Sequence, residues 1–205
     1  MYGLDPKVIG EIKLHVVEMM FYQYLPIKFP GMENPKFEDR LKCFNQLLGK
    51  VCCDYIGDFG LDAYVNSYIY LTAKRLWQDK VPFNRSGYHS DSFGSNDQNY
   101  IWYDCQPTIF NSSQFDLCKD DEISLKQMEE QAKPENEYFY PSYTILRLDE
   151  YCIHKVGKMI EGMRTFVKIS FSKDKYDLEG NSHNYLIDYD WVMRPRKVSR
   201  NTPYQ

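Results

Sequence analysis

The stretch SYTILRLDEYCIHKVGKMIEGMRTFVKISFS, residues 142–172, decides the fold class. Three runs in it, Ser142–Leu148, Tyr151–Val156 and Met163–Ser172, are rich in β-branched, aromatic and aliphatic side chains. They are separated only by Asp149-Glu150 and by the segment from Gly157 to Gly162. Such side chains suit a pleated, half-buried surface, and short polar or glycine-containing breaks suit turns between strands. Three strands in such close succession predict an antiparallel sandwich or barrel.

Working outward, Asn99–Asp104 reads as a further strand after the turn Gly94–Asp97, and a run over about 67–77 as another. Asp79 to Gly87 is a loop with Pro82, Asn84 and Gly87 as breakers. Asp5-Pro6 resembles a helix start, and Val8, Ile9, Ile12, Leu14, Val16, Val17, Met20 and Phe21 predict a helix to about residue 22. Leu25 to Pro35 reads as a connection, and Phe37 to Ile56 as a second helix. Residues 111–140 are polar, with a short helix expected over Ser124–Lys133 and a mobile cover expected somewhere in the stretch. Asn184–Val192 is expected to be a last strand, before a basic tail. The expected class is mainly β with N-terminal helices (α+β). At 205 residues one domain is expected, with 1–62 as helical support, 63–192 as the β core and 193–205 as the tail.

Aromatic residues make up 16% of the chain, 18 of them Tyr, which leans the fold further towards β. A formal net charge of −4 leaves no electrostatic footprint for tight nucleic-acid binding. Six cysteines fall at irregular intervals with no C-x-x-C pair, so zinc-ribbon spacing is absent. The N-terminus has neither a basic start nor an apolar signal core, and no run approaches the roughly 18 apolar residues that span a bilayer. Reduced cysteines and a cytoplasmic location are the expectation.

Chemistry concentrates in Arg85-Ser86-Gly87-Tyr88-His89-Ser90-Asp91-Ser92-Phe93. On an extended segment His89 and Asp91 share a side. One imidazole and one carboxylate make two-thirds of a facial triad suited to non-heme Fe(II). His154, between apolar neighbours, supplies a third ligand. Arg164, ten residues later, is expected to lie beside it across a hairpin. An arginine inside an apolar strand needs an anion, and its planar fork matches a carboxylate.

His89-x-Asp91 followed by His154 and then Arg164 resembles the Fe(II)/2-oxoglutarate-dependent oxygenases, over about residues 67–172. The resemblance implies a double-stranded β-helix (jelly-roll) core over 63–192. It implies Fe(II) held by His89, Asp91 and His154, a 2-oxoglutarate co-substrate whose distal carboxylate pairs with Arg164, and dioxygen as oxidant. Some relatives place a serine or threonine two residues past the arginine, where this chain has Phe166. Tyr103 is a further candidate for the co-substrate, with a core tyrosine as the competing role.

Lys168 shares the nominal face of Arg164 without an evident reason. Arg85 reads as a solvated loop arginine or a contact for a substrate anion. His183, with Arg194 eleven residues on, competes with His154, but it sits in a polar turn and Pro195 follows Arg194 directly. Cys152 reads as a small buried residue and His15 as a packed or surface histidine. The expected substrate is a small molecule or amino acid. Alternatives are an oxygenase acting on a nucleotide or protein side chain, a zinc-dependent hydrolase, and a non-catalytic jelly-roll binding protein.

Overall fold

A computed structural model describes residues 1–79 and 86–196; Arg85 and tail residues 197–205 lie outside them. The described chain runs β1 (Lys7–Glu11), β2 (Met20–Lys28), a 3-10 turn (Asp39–Phe44), α1 (Asn45–Phe59), α2 (Leu61–Val65), β3 (Tyr68–Gln78), β4 (Gln98–Tyr103) and β5 (Thr108–Asn111). It continues with α3 (Asp121–Gln131), β6 (Glu137–Phe139), β7 (Thr144–Leu148), β8 (His154–Val156) and β9 (Gly162–Ser172). Among the described residues no helix is long and apolar enough to cross a membrane.

The architecture is mostly β. Six strands form one antiparallel sheet in the order β1-β7-β4-β9-β3-β2, and three form a second in the order β6-β5-β8. The centre of the large sheet is β9, paired along its length with β3 and over its C-terminal half with β4. Its side chains alternate as a two-sided strand requires. Val167, Ile169 and Phe171 face the helices, packing with Leu47, Val51 and Tyr55 of α1. Arg164, Phe166 and Lys168 face the other way, into a cavity. The Tyr55 ring stacks on Phe171 with centroids 3.9 Å apart, fixing α1 to the sheet.

The first expected helix is absent. Residues 7–11 and 20–28 are strands, and helices in the N-terminal third are confined to 39–65. The apolar stripe read as a helix face is not one. Val8, Val17 and Phe21 are half or more exposed, whereas Val16 and Met20 are buried. Gly10 has φ +147°, at a register shift where β1 pairs with β7. Pro26, read as part of a connection, lies within β2, which is possible because β2 is an edge strand with a partner on one side only. The second helix, expected over Phe37–Ile56, forms in part: a 3-10 turn spans 39–44 and the α-helix runs from Asn45 to Phe59. The strand expected over Asn184–Val192 does not form.

The expected hairpin between His154 and Arg164 does not form either. Their strands belong to different sheets: β8 pairs with β5, and β9 with β3 and β4. The two residues instead line one cavity from different sheets.

Candidate metal centre

The cavity, about 440 Å³, opens between the two sheets. Thr72, Lys74, Asn99 and Ile101 line it from the large sheet, and Thr108, His154 and Val156 from the small one. Asp121, Ser124 and Met128 of α3 contribute to its wall.

His89 and His154 form an isolated antiparallel bridge, each backbone N–H donating to the other's carbonyl at 2.9 Å. In such a hydrogen-bonded pair the two side chains leave on the same face, and the ring centroids are 4.6 Å apart. Each ring is oriented through Nδ1, which donates to the Gly87 carbonyl at 3.0 Å in His89 and to the Cys152 carbonyl at 3.1 Å in His154. With Nδ1 protonated, Nε2 carries the lone pair, the usual arrangement behind a metal-binding histidine. Gly87, whose carbonyl receives the His89 ring, has φ +79°, a conformation open to glycine at little cost.

The extended backbone stops just before Asp91, which opens the turn 91–94. Asp91 still reaches the histidines. One donor atom from each of His89, Asp91 and His154 lies within 4.8 Å of the other two, and Asp91 Oδ2 is 3.7 Å from His154 Nε2. The turn is tied down by a buried chain in which Asn99 Nδ2 donates to Ser92 Oγ, while Asn99 Oδ1 accepts from Ser170 Oγ at 2.5 Å. Ser90 Oγ donates to the Glu150 carbonyl at 2.8 Å.

The electrostatics suit a cation. Burial acts to raise the Asp91 carboxyl, but Lys168, then His154 and His89, pull it well below the usual carboxylate range, so it stays ionised. Burial also lowers the affinity of His154 for a proton, partly offset by Asp91, which keeps the imidazole neutral. Two imidazoles and one carboxylate make a donor set that first-row divalent metals accept.

Arg164 is 4% exposed and opens into the same cavity. Its Nε donates to the carbonyls of Cys105 and Gln106 at 3.2 and 3.1 Å, and its guanidinium lies 5.1 Å from the Phe166 ring centroid. These contacts fix the side chain without neutralising it, and among the described residues it forms no salt bridge.

Tyr103 does not line the cavity. It is fully buried with Phe110 and Leu148, and its hydroxyl donates to the Tyr140 carbonyl at 3.0 Å. Cys152 is buried in the same cluster, where desolvation pushes its thiol up to about 12, so it stays protonated. His183 is exposed and stacks on Tyr189 with centroids 4.4 Å apart, away from the cluster. His15 is exposed.

The roles of three cavity residues are not apparent from the sequence. Lys168 forms a salt bridge to Asp91 Oδ1 at 3.0 Å; its parity with Arg164 along β9 is the signal that points to the cavity. Asn99 lies on a correctly predicted strand, where nothing marks its face. Tyr24 carries no sequence signal at all, because it enters the cavity through a bulge in an unexpected strand.

No protein-family model matches this chain, and no curated protein does. Among solved structures it is similar to the crystal structure of EvdO2 from Micromonospora carbonacea var. aurantiaca complexed with 2-oxoglutarate. The identity is 14%, the TM-score 0.39, and the match covers 73% of this chain and 76% of that one. At that level of likeness, function has to be argued from the cavity itself.

Proposed function

We propose that the protein is an Fe(II)- and 2-oxoglutarate-dependent oxygenase acting on a small molecule or amino acid, with its two sheets forming a double-stranded β-helix. One observation carries this reading. His89, Asp91 and His154 converge in a cavity that Arg164 also lines, a buried cation that forms no salt bridge among the described residues. A metal site alone uses the first three residues; a zinc hydrolase has no task for the fourth.

His89 and His154 would hold iron through Nε2 and Asp91 through its carboxylate, with Arg164 receiving the distal carboxylate of 2-oxoglutarate. Bound iron would supply the redox chemistry, by which dioxygen delivers one atom to succinate and one to the substrate as carbon dioxide leaves. The protein's residues perform the rest. The Gly87 and Cys152 carbonyls hold both rings in the binding tautomer, the Ser92–Asn99–Ser170 chain holds the Asp91 turn, and two carbonyls aim Arg164. A cavity of about 440 Å³ suits a co-substrate together with a small second molecule.

The test is a metabolite panel incubated with protein, Fe(II) and 2-oxoglutarate, read for succinate and for added oxygen by mass spectrometry. D91A is expected to abolish both. Succinate formation at the wild-type rate in D91A would remove the assigned ligand set.

A further inference from the structure

The two oxygens of Asp91 have different surroundings. Oδ2 faces His154 Nε2 at 3.7 Å, while Oδ1 accepts from Lys168 Nζ at 3.0 Å. Lys168 arrives from the large sheet and is only 7% exposed. Its ammonium also donates to Tyr24 Oη at 3.1 Å and lies 4.9 Å from the centroid of that ring.

Tyr24 reaches this position through an uncommon backbone. It has φ +46°, inside the register shift between Tyr22 and Leu25 where β2 pairs with β3. Its N–H donates to Thr72 Oγ1 at 3.0 Å, and its ring meets Tyr176 edge-on at 5.2 Å. A left-handed conformation at a non-glycine residue is unfavourable and persists where its surroundings over-determine it. Here the bulge turns a tyrosine from an edge strand onto the lysine that holds the acid.

We propose that Lys168, steadied by Tyr24, is a positioning residue that occupies Asp91 Oδ1, so that Asp91 offers a bound metal Oδ2 alone. The identity of the chelating co-substrate as 2-oxoglutarate rests on the oxygenase reading. A carboxylate binds metals through one oxygen or through two. With one oxygen from Asp91 and one nitrogen from each histidine, a six-coordinate metal keeps three positions, enough for a chelating keto acid and dioxygen. A second oxygen from Asp91 takes one of those positions. The ammonium that prevents this also gives a half-buried carboxylate its counter-charge.

Co(II) is a suitable probe, because its visible spectrum reports coordination number without turnover. In K168M the Co(II) spectrum is expected to change towards higher protein-derived coordination, with Co(II) bound at least as tightly as in wild type. The dissociation constant for 2-oxoglutarate on the Co(II)-loaded protein should rise about tenfold, the lower end of what partners of metal ligands contribute. K168R, which keeps a cation on the strand, should restore the wild-type spectrum, and Y24F should shift it in the direction of K168M by less. A folded K168M with wild-type spectrum and wild-type 2-oxoglutarate affinity overturns the proposal. If K168M does not fold, Y24F decides, and an unchanged spectrum and affinity there overturn it equally. Wild-type protein that binds Co(II) but not 2-oxoglutarate removes the oxygenase reading, and the Co(II) spectra alone then decide the role of Lys168. Wild-type protein that binds no Co(II) overturns both.

Discussion

Arg164 shows how a single side chain separates possible chemistries. It is buried, aimed by the Cys105 and Gln106 carbonyls, and open to the cavity that holds the histidine–aspartate cluster. Losing one partner of a buried charge pair typically costs about 2 kcal/mol or more. R164M is therefore expected to raise the dissociation constant for 2-oxoglutarate by about thirtyfold, measured by calorimetry on metal-loaded protein, with metal affinity retained. An unchanged constant would detach Arg164 from the co-substrate. His89, Asp91, His154 and Arg164 are all legible as a set, because residue type, order and spacing are written in the chain. Their routes to one cavity are not. The expected hairpin across 154–164 gives way to two sheets facing each other, an outcome governed by the long-range partners of β8 and β9. Tyr103 shows the limit of parity. It faces away from the helices as expected of a site residue, but the Tyr140 carbonyl claims its hydroxyl.

Among the elements, the N-terminal strands are the hardest to foresee. Residues 6–22 carry apolar residues at steps compatible with a helix, yet several are β-branched and Gly10 interrupts them. Pairing of β1 with β7 and of β2 with β3 then overrides a weak local preference. The end of β2 also carries a buried cation that links it to the end of α2. Lys28 is fully buried, and its ammonium donates to the carbonyls of Tyr64, Val65 and Ser67 at 2.9, 3.0 and 3.0 Å, and of Phe29 at 3.2 Å. It thereby satisfies carbonyls at the C-terminal end of α2 that have no partner within the helix. K28M keeps the volume but removes the ammonium donor, while the backbone N–H groups of Ser67, Gly31 and Met32 still serve the carbonyls of Tyr64, Val65 and Phe29. It is expected to destabilise the fold by about 1 kcal/mol, read as a lower midpoint in urea with the slope unchanged. A midpoint equal to wild type would show that the carbonyls find other donors.

For the whole molecule, the tyrosine content that hints at β structure also sets its response to alkali. Burial pushes Tyr64 and Tyr103 up to about 12 and raises Tyr70 and Tyr100 beyond that. These hydroxyls hold their protons more tightly folded than unfolded, so the stability they contribute is complete below about pH 10, the unfolded value. It is lost as pH rises through the folded values. A pH titration should therefore show unfolding by circular dichroism above pH 10, with tyrosinate absorbance from the buried residues appearing in the same transition. Tyrosinate formation running to completion in a protein still folded would contradict that burial.

The proposed function rests on one cavity binding a metal and a dicarboxylate together, and this can be tested before any substrate is known. The measurement is calorimetric titration of 2-oxoglutarate into the protein with and without Mn(II). The predicted result is saturable binding with one site per chain when Mn(II) is present, strongly weakened without it and in D91A. Equal affinity with and without the metal, or no binding in either state, would contradict the claim.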